Sequence, residues 1–342
     1  MIFVLSLQRF SNDNKTSSKM KKILGIGNAL VDILVHIEND NILSQNQLDK
    51  GGMVMIDADR KRHLHEKIGH MQQSCATGGS TSNTIHGIAR LGAPAGYIGK
   101  IGRDPMGQFF RSEMERFGVT PHLIESDVDT GIATTFISTD AERTFATYLG
   151  AAAMMTPDEL DPAVFEQYDC IHVEGYLIFN HDLILKICQI AKEKGLQISM
   201  DMASYNIIEA NYDFVKMLLT DYVDIIFANE EEAKAFTGKE GEEALNVLSE
   251  YCPIAIVKVG KEGSFIKMDG KTTHVGVIPV KAVDTTGAGD IYASGILYGL
   301  MNGYTPEQAG ELAAYLAGHV IEYVGAKLPD DVWTAVHEKF FK

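Results

Sequence analysis

Asp284-Thr285-Thr286-Gly287-Ala288-Gly289-Asp290 stands directly before an apolar run with helical patterning. Gly287, Ala288 and Gly289 are small enough for the backbone to approach a ligand closely. Their N–H groups fall at a helix N-terminus, where donors lack intrahelical partners and the helix dipole favours negative charge. The stretch reads as a nest of main-chain amides for an anion with charge spread over several oxygens, such as a migrating phosphoryl group. Asp290 lies in the first helical turn, where the dipole favours its ionised form. It is the expected acceptor of a proton from a hydroxyl. Phosphoryl transfer needs mainly positioning and charge neutralisation, so a weak carboxylate base suffices. A tight turn with a capping Asp is the structural alternative for this stretch taken alone.

Working outward, apolar runs alternate with helical patterns. Strands are expected over 23–27, 97–101, 170–173, 197–201, 223–228 and 254–259. Helices are expected over 80–91, 107–117 and 181–194, and from about Asn229; two more, 290–301 and 306–323, close the chain. Strand and helix in this alternation predict an α/β fold with a mainly parallel central sheet. Two segments, about 33–57 and 120–150, alternate apolar and polar residues, the pattern of a sheet solvated on one face. They are expected to form a small β lid over the carboxyl ends of the main sheet, where open α/β folds bind ligands. Residues 20–342 then form the folded domain. Residues 1–19 are expected to be a disordered extension, with Met20 as the biological start.

The 342 residues carry a formal net charge of −16, from 30 Lys plus Arg against 46 Asp plus Glu. With no extended basic run, nucleic acid and anionic membranes are not expected as partners. No stretch has the length of a membrane-spanning helix. Cys75, Cys170, Cys188 and Cys252 form no C-x-x-C pair, which fits free thiols and a cytoplasmic location. H-E-x-x-H, G-x-S-x-G and Walker-type P-loop motifs are absent.

A second polar cluster lies near the start. In Gly25-Ile26-Gly27-Asn28-Ala29-Leu30-Val31-Asp32 a strand runs into a polar turn. An Asp placed there can accept hydrogen bonds from vicinal hydroxyls. Thr77-Gly78-Gly79-Ser80-Thr81-Ser82-Asn83 offers bare backbone at Gly78 and Gly79, with Asn83 one helical turn on. Asn28, Asp32 and Asn83 read equally as ordinary turn and helix polars until the Gly-Gly pair is weighed with them. Asn229 and Glu232 have the spacing of a capping box, which needs no metal.

Taken together, these motifs resemble the ribokinase-like carbohydrate kinases, the phosphofructokinase B family. D-T-T-G-A-G-D resembles its C-terminal motif, and T-G-G-S-T-S-N its N-terminal Gly-Gly motif. Gly99-Lys100-Ile101-Gly102-Arg103-Asp104-Pro105-Met106-Gly107 and Asn229-Glu230-Glu231-Glu232 match further segments, in family order. The resemblance implies a three-layer α/β/α sandwich and an ATP- and Mg²⁺-dependent kinase. It places Asp290 as catalytic base, with Gly287, Ala288 and Gly289 as the anion hole. It implies that Asn28, Asp32, Gly78, Gly79, Ser80 and Asn83 bind the acceptor. Asn229, Glu232, Lys258, Gly260, Gly263 and Thr286 fall at its ATP site, Glu232 holding Mg²⁺ through water. Asp284 and Thr286 match ligands of an activating monovalent cation such as K⁺.

The segments G-N-A-L-V-D-I and G-G-S-T-S-N, with Arg143 ahead of T-Y-L-G-A-A, look closest to the adenosine kinase branch. There an Arg at the Arg143 position approaches the phosphoryl group. Phe136, Tyr148 and Tyr176 are then candidates to sandwich a purine. The expected activity is phosphorylation of a nucleoside's primary hydroxyl, adenosine first. The alternatives are a sugar kinase acting on ribose, fructose or a related sugar, and a non-catalytic ligand sensor on the same fold. Either a monomer or a homodimer fits the pattern.

Overall fold

The computed structural model describes residues 20–140 and 142–341. The expected extension, residues 1–19, lies outside the described residues. The strands in chain order are β1 (Ile23–Ile26), β2 (Leu30–His36), β3 (Met53–Met55), β4 (Gln73–Gly78) and β5 (Ala95–Gly102). Next come β6 (Val119–Ser126), β7 (Gly131–Ile137), β8 (Arg143–Tyr148), β9 (Cys170–Val173) and β10 (Gln197–Asp201). The last four are β11 (Ile225–Asn229), β12 (Ile254–Lys258), β13 (Ser264–Met268) and β14 (Lys271–Val275).

A nine-stranded sheet has the order β14-β13-β12-β11-β10-β9-β1-β5-β6. Strands β6 to β12 along this order pair in parallel, and β13 and β14 are antiparallel at one edge. Successive residues of β1 and of β11 feed opposite cores, as a pleat with helices on both faces requires. Ile23, Ile225 and Phe227 pack with the helices Ser80–Arg90, Ala288–Met301, Pro306–Val320 and Asp330–Phe340. Leu24, Ile26, Ile226 and Ala228 pack with His181–Glu193, Tyr212–Asp221 and Glu230–Thr237 on the other side. The result is the three-layer α/β/α sandwich expected. Strand order reverses between β1 and β9, so a crevice opens at their carboxyl ends.

The second sheet has five strands in the order β3-β8-β7-β2-β4. In β2, Val31, Ile33 and Val35 are buried, whereas Leu30, Asp32 and Leu34 on the opposite face are partly exposed. Within 33–57, β3 and most of β2 belong to this sheet, with a short helix, Asn41–Gln45, between them; two other segments differ from the pattern read in the sequence. Residues 119–126 are β6, paired in parallel with β5 at the edge of the large sheet. Gln73–Gly78 joins the small sheet, antiparallel to β2. The helix after the glycine nest begins at Ala288 rather than Asp290, and Asp330–Phe340 adds a third closing helix.

Candidate active site

Residues at the carboxyl ends of β1, β9, β10, β11 and β12 line the crevice: Asn28, Glu174, Asp201, Asn229 and Lys258. Asn28 and Glu174 face each other at the reversal point. The buried Glu174 carboxylate accepts from the Asn28 side-chain amide at 2.5 Å, and from the backbone N–H groups of Asn28 and Thr81 at 3.3 Å. Burial pushes this carboxyl up to about 7, against the pull of the same donors. Gly79 caps the Ser80–Arg90 helix at φ 91°, ψ 132°, and a Cβ there would stand 2.2 Å from the Asn28 carbonyl oxygen. That backbone geometry is close to glycine-only. Gly78 lies against Asp32: a Cβ on it would fall 2.1 Å from the carboxylate.

The Ser80–Arg90 helix presents Ser80 and Asn83 to Asp290. Ser80 Oγ donates to Asp290 Oδ1 at 2.7 Å, and Asn83 Nδ2 to Oδ2 at 2.9 Å. Thr84 Oγ1 donates to the Asp290 carbonyl at 3.1 Å, tying the two helix starts together. Burial raises the Asp290 carboxyl above its ordinary range, while Asn83, Ser80 and Lys258 pull it back and Asp201 pushes it up. Burial also lifts Asp32 to about 7; Lys327 draws it down and Asp290 pushes it up.

Gly287 adopts a left-handed conformation at φ 75° and packs so closely on Ala326 that a Cβ would sit 2.2 Å from the Ala326 Cβ. The Gly287, Gly289 and Asp290 amides have no hydrogen-bond partner among the described residues. The Ala288 amide, expected in the nest, donates instead to the Thr285 carbonyl at 3.2 Å. A type of turn that leaves αL at Gly287 folds that one donor back on itself. Lys258 closes the nest: a Cβ on Gly289 would lie 3.1 Å from its Nζ. Burial works to lower the Lys258 pKa, but Asp201 (Nζ to Oδ2 3.3 Å), Glu232 and Asp290 outweigh it and hold the cation above its ordinary range.

Asn229 and Glu232 form the capping box. Glu232 accepts from the Asn229 backbone and side-chain amides, both at 2.7 Å, and Asn229 Oδ1 accepts from the Glu232 N–H at 2.9 Å. Burial, and then Asp201, lift the Glu232 carboxyl to about 7, with Lys258 opposing. Gly260 and Gly263 bound the turn between β12 and β13, with Gly260 near Glu230. Among the described residues no hydrogen bond links either glycine to Asp290, Ser80 or Asn83.

Arg143, the first residue of β8, pairs through Nη1 with the buried Asp284, while its buried Nε has no hydrogen-bond partner among the described residues. Asp284 also accepts from the Thr286 N–H at 2.8 Å and the Gly325 N–H at 2.6 Å. These residues fit a monovalent cation poorly. The carboxylate charge is already met by the Arg143 guanidinium, and both of its oxygens also accept from backbone N–H groups, Oδ1 from Thr286 and Oδ2 from Gly325.

The aromatic expectation needs correction. Phe136 is fully buried in the core and Tyr148 packs with it, because β7 and β8 turn that face toward the Ala58–Ile68 helix side. Tyr176 alone of the three adjoins the site: burial, with Asp201, Glu174, Glu232 and Asp290 near it, pushes its phenol up to about 12. Glu174, Asp201 and Lys327 were not expected. The first two end apolar parallel strands, a position that itself marks a ligand crevice. Lys327 carries no local signal.

Residues 45–333 match the pfkB family carbohydrate kinase description. An adenosine kinase of Saccharomyces cerevisiae is 29% identical over 330 residues, covering 90% of this chain and 96% of that protein. A 5-dehydro-2-deoxygluconokinase of Geobacillus thermodenitrificans is 29% identical over 263 residues, 71% of this chain and 78% of that protein. The crystal structure of an adenosine kinase from Sinorhizobium meliloti superposes with a TM-score of 0.83 at 32% identity, covering 94% of this chain and 99% of that one. The chain belongs to the pfkB family of carbohydrate kinases. Within it, the chain is a nucleoside or sugar kinase, a phosphotransferase with a hydroxyl acceptor. Among the described residues no helix is long and apolar enough to cross a membrane.

Proposed function

We propose that the protein phosphorylates the primary hydroxyl of a nucleoside, adenosine first, with MgATP as phosphoryl donor. The carrying observation is the Asp290 carboxylate, fixed by Ser80 and Asn83 beside the unpartnered Gly287 and Gly289 amides and the Lys258 ammonium. Asp290 takes the hydroxyl proton as the substrate oxygen bonds to the γ-phosphorus. The bond from that phosphorus to the β,γ-bridging oxygen breaks in line, and ADP leaves. The amides and Lys258 meet the charge on the transferring group, where fixed donors act most strongly. Arg143 brings a guanidinium, with a free Nε, to the entrance of the same turn. The small sheet acts as the lid; closing it excludes water and suppresses ATP hydrolysis.

Asp201 and Glu232 share a single ammonium, Lys258, so the donor side holds more negative than positive charge. That surplus fits the Mg²⁺ that arrives with ATP. Asp32, on the open face of β2, is placed to accept from ribose hydroxyls. Its raised pKa sets a sign: as pH falls through about 7 the carboxyl gains a proton and loses acceptor capacity. The acceptor KM is therefore expected to rise on acidification below neutrality, with the ATP KM unaffected. Asp32→Asn should give a high acceptor KM that no longer varies over that range.

Because Arg143 already neutralises Asp284, turnover in potassium and in tetramethylammonium salts of equal ionic strength should coincide. Steady-state rates in the two media check this, and a potassium-specific gain would contradict it.

Adenosine over a free sugar is supported by the near full-length match to the yeast adenosine kinase and by Tyr176 beside the carboxylate cluster. The test is kcat/KM with MgATP for adenosine, inosine, ribose, fructose and 5-dehydro-2-deoxygluconate. Adenosine should lead. A sugar in first place would move the protein to the sugar-kinase side of its family. Tight binding without turnover of any acceptor would favour a sensor.

A further inference from the structure

Gly325, Ala326 and Lys327 make three consecutive contacts with the site. The Gly325 N–H holds Asp284, Ala326 packs on Gly287, and Lys327 Nζ donates to Asn83 Oδ1 at 2.9 Å. Asn83 in turn donates from Nδ2 to Asp290 Oδ2 at 2.9 Å. We infer that Lys327 is a positioning residue for the transfer: it fixes which way round the Asn83 amide stands, and through that amide it orients the Asp290 carboxylate.

The argument is one of donors and acceptors. An ammonium only donates and a carboxylate only accepts, so the amide between them has one satisfactory orientation, oxygen to Lys327 and nitrogen to Asp290. Turned over, it would set donor against donor at one end and acceptor against acceptor at the other. Asn83 is 5% exposed, so water does not readily replace either bond. Without the lysine, the orientation of the amide would rest on Asp290 alone.

The charges around the pair are consistent with this role. Burial brings the Lys327 ammonium down to about 8, while Asp32 on β2, Asp290, and Glu113 on the Pro105–Arg116 helix support its charge. His86, on the same helix as Asn83, is held neutral, by burial first and then by Lys327, Arg90 and Arg116. Asp290 faces Asp201 and Lys258 from the large sheet, and its charge is felt by Asp32 and Glu174.

This inference rests on the reading of Asp290 as the base, and the experiment separates the two. The rate of adenosine phosphorylation by MgATP is measured against pH for the parent, Lys327→Met, Lys327→Arg, Asn83→Leu, the Asn83→Leu/Lys327→Met double variant and Asp290→Asn. Lys327→Met should lower kcat and move the acid limb up by roughly one pH unit, with the ATP KM unchanged. Lys327→Arg should restore most of the rate and carry the alkaline limb beyond the parent's, since a guanidinium does not titrate there. In the Asn83→Leu background the methionine should add little. Should Lys327→Met fail to fold, the alkaline limb of Lys327→Arg decides, and an unchanged limb overturns the inference. So does a Lys327→Met profile that superimposes on the parent's, or an equal loss with and without Asn83. If Asp290→Asn keeps parental turnover, the base assignment itself has failed; if it is inactive while Lys327→Met behaves as the parent, only the role of Lys327 falls.

Discussion

Asp290→Asn is expected to lower kcat by roughly 10²–10⁴-fold, with the KM for acceptor and for ATP little changed. The carboxylate sits where Ser80 and Asn83 each donate to one of its oxygens, which leaves further lone pairs for a substrate hydroxyl. An amide of the same shape keeps the packing at the start of the Ala288–Met301 helix and loses the ability to take a proton. One orientation keeps both contacts, with the amide oxygen accepting from Asn83 Nδ2 and the NH₂ donating to Ser80 Oγ, a hydroxyl that accepts as well as donates. The effect belongs to the transition state rather than to ground-state binding, so it should appear in kcat and kcat/KM alike. Steady-state kinetics, with calorimetric binding of each substrate to the variant, check it. Near-parental turnover would remove Asp290 from the chemistry.

Gly79→Ala is expected to remove activity by a different route. The residue holds φ 91° with ψ 132°, and an added Cβ would come within 2.2 Å of a backbone oxygen, that of Asn28. The dihedral strain alone is worth about 1–3 kcal/mol. The clash adds to it, because neither partner is a flexible side-chain end. Relief requires the first turn of the Ser80–Arg90 helix to move away from the end of β1. Ser80 and Asn83 ride on that turn, so Asp290 loses both of its donors together. Urea unfolding should show a loss of at least ~2 kcal/mol, and turnover should fall with it. A variant with parental stability and rate would show that the close approach of Gly79 to Asn28 is not needed.

Much of this architecture is legible in the chain, and what was missed has physical causes. The parallel strands read clearly because both faces are buried, which makes their sequences continuously apolar, as in Ile225–Asn229 and Ile254–Lys258. The glycine nest read clearly because small residues before a helix have few other reasons to cluster. The edges of the small sheet did not. Gln73–Gly78 has no apolar alternation and takes its register from β2, whereas Val119–Ser126 half alternates yet pairs with β5. Aromatic alternation along β7 and β8 gave two faces without saying which one the core would cover. The capping box at Asn229 and Glu232 formed as its spacing implies, and its burial, together with Asp201, gives Glu232 a raised pKa besides. Lys327 stayed hidden because its meaning lies in Asn83, 244 residues away. The pairing of Arg143 with Asp284 is likewise long-range, and it changes how the first Asp of the nest motif is understood.

The most direct test is phosphorus NMR of the protein mixed with MgATP and adenosine, run beside the Asp290→Asn variant. With the parent, the γ-phosphate signal should disappear as a phosphomonoester of the primary hydroxyl grows in equal amount; with the variant, both substrates should remain bound and unreacted. No monoester from the parent with any nucleoside or sugar acceptor, or monoester formed equally fast without the Asp290 carboxylate, would contradict the account.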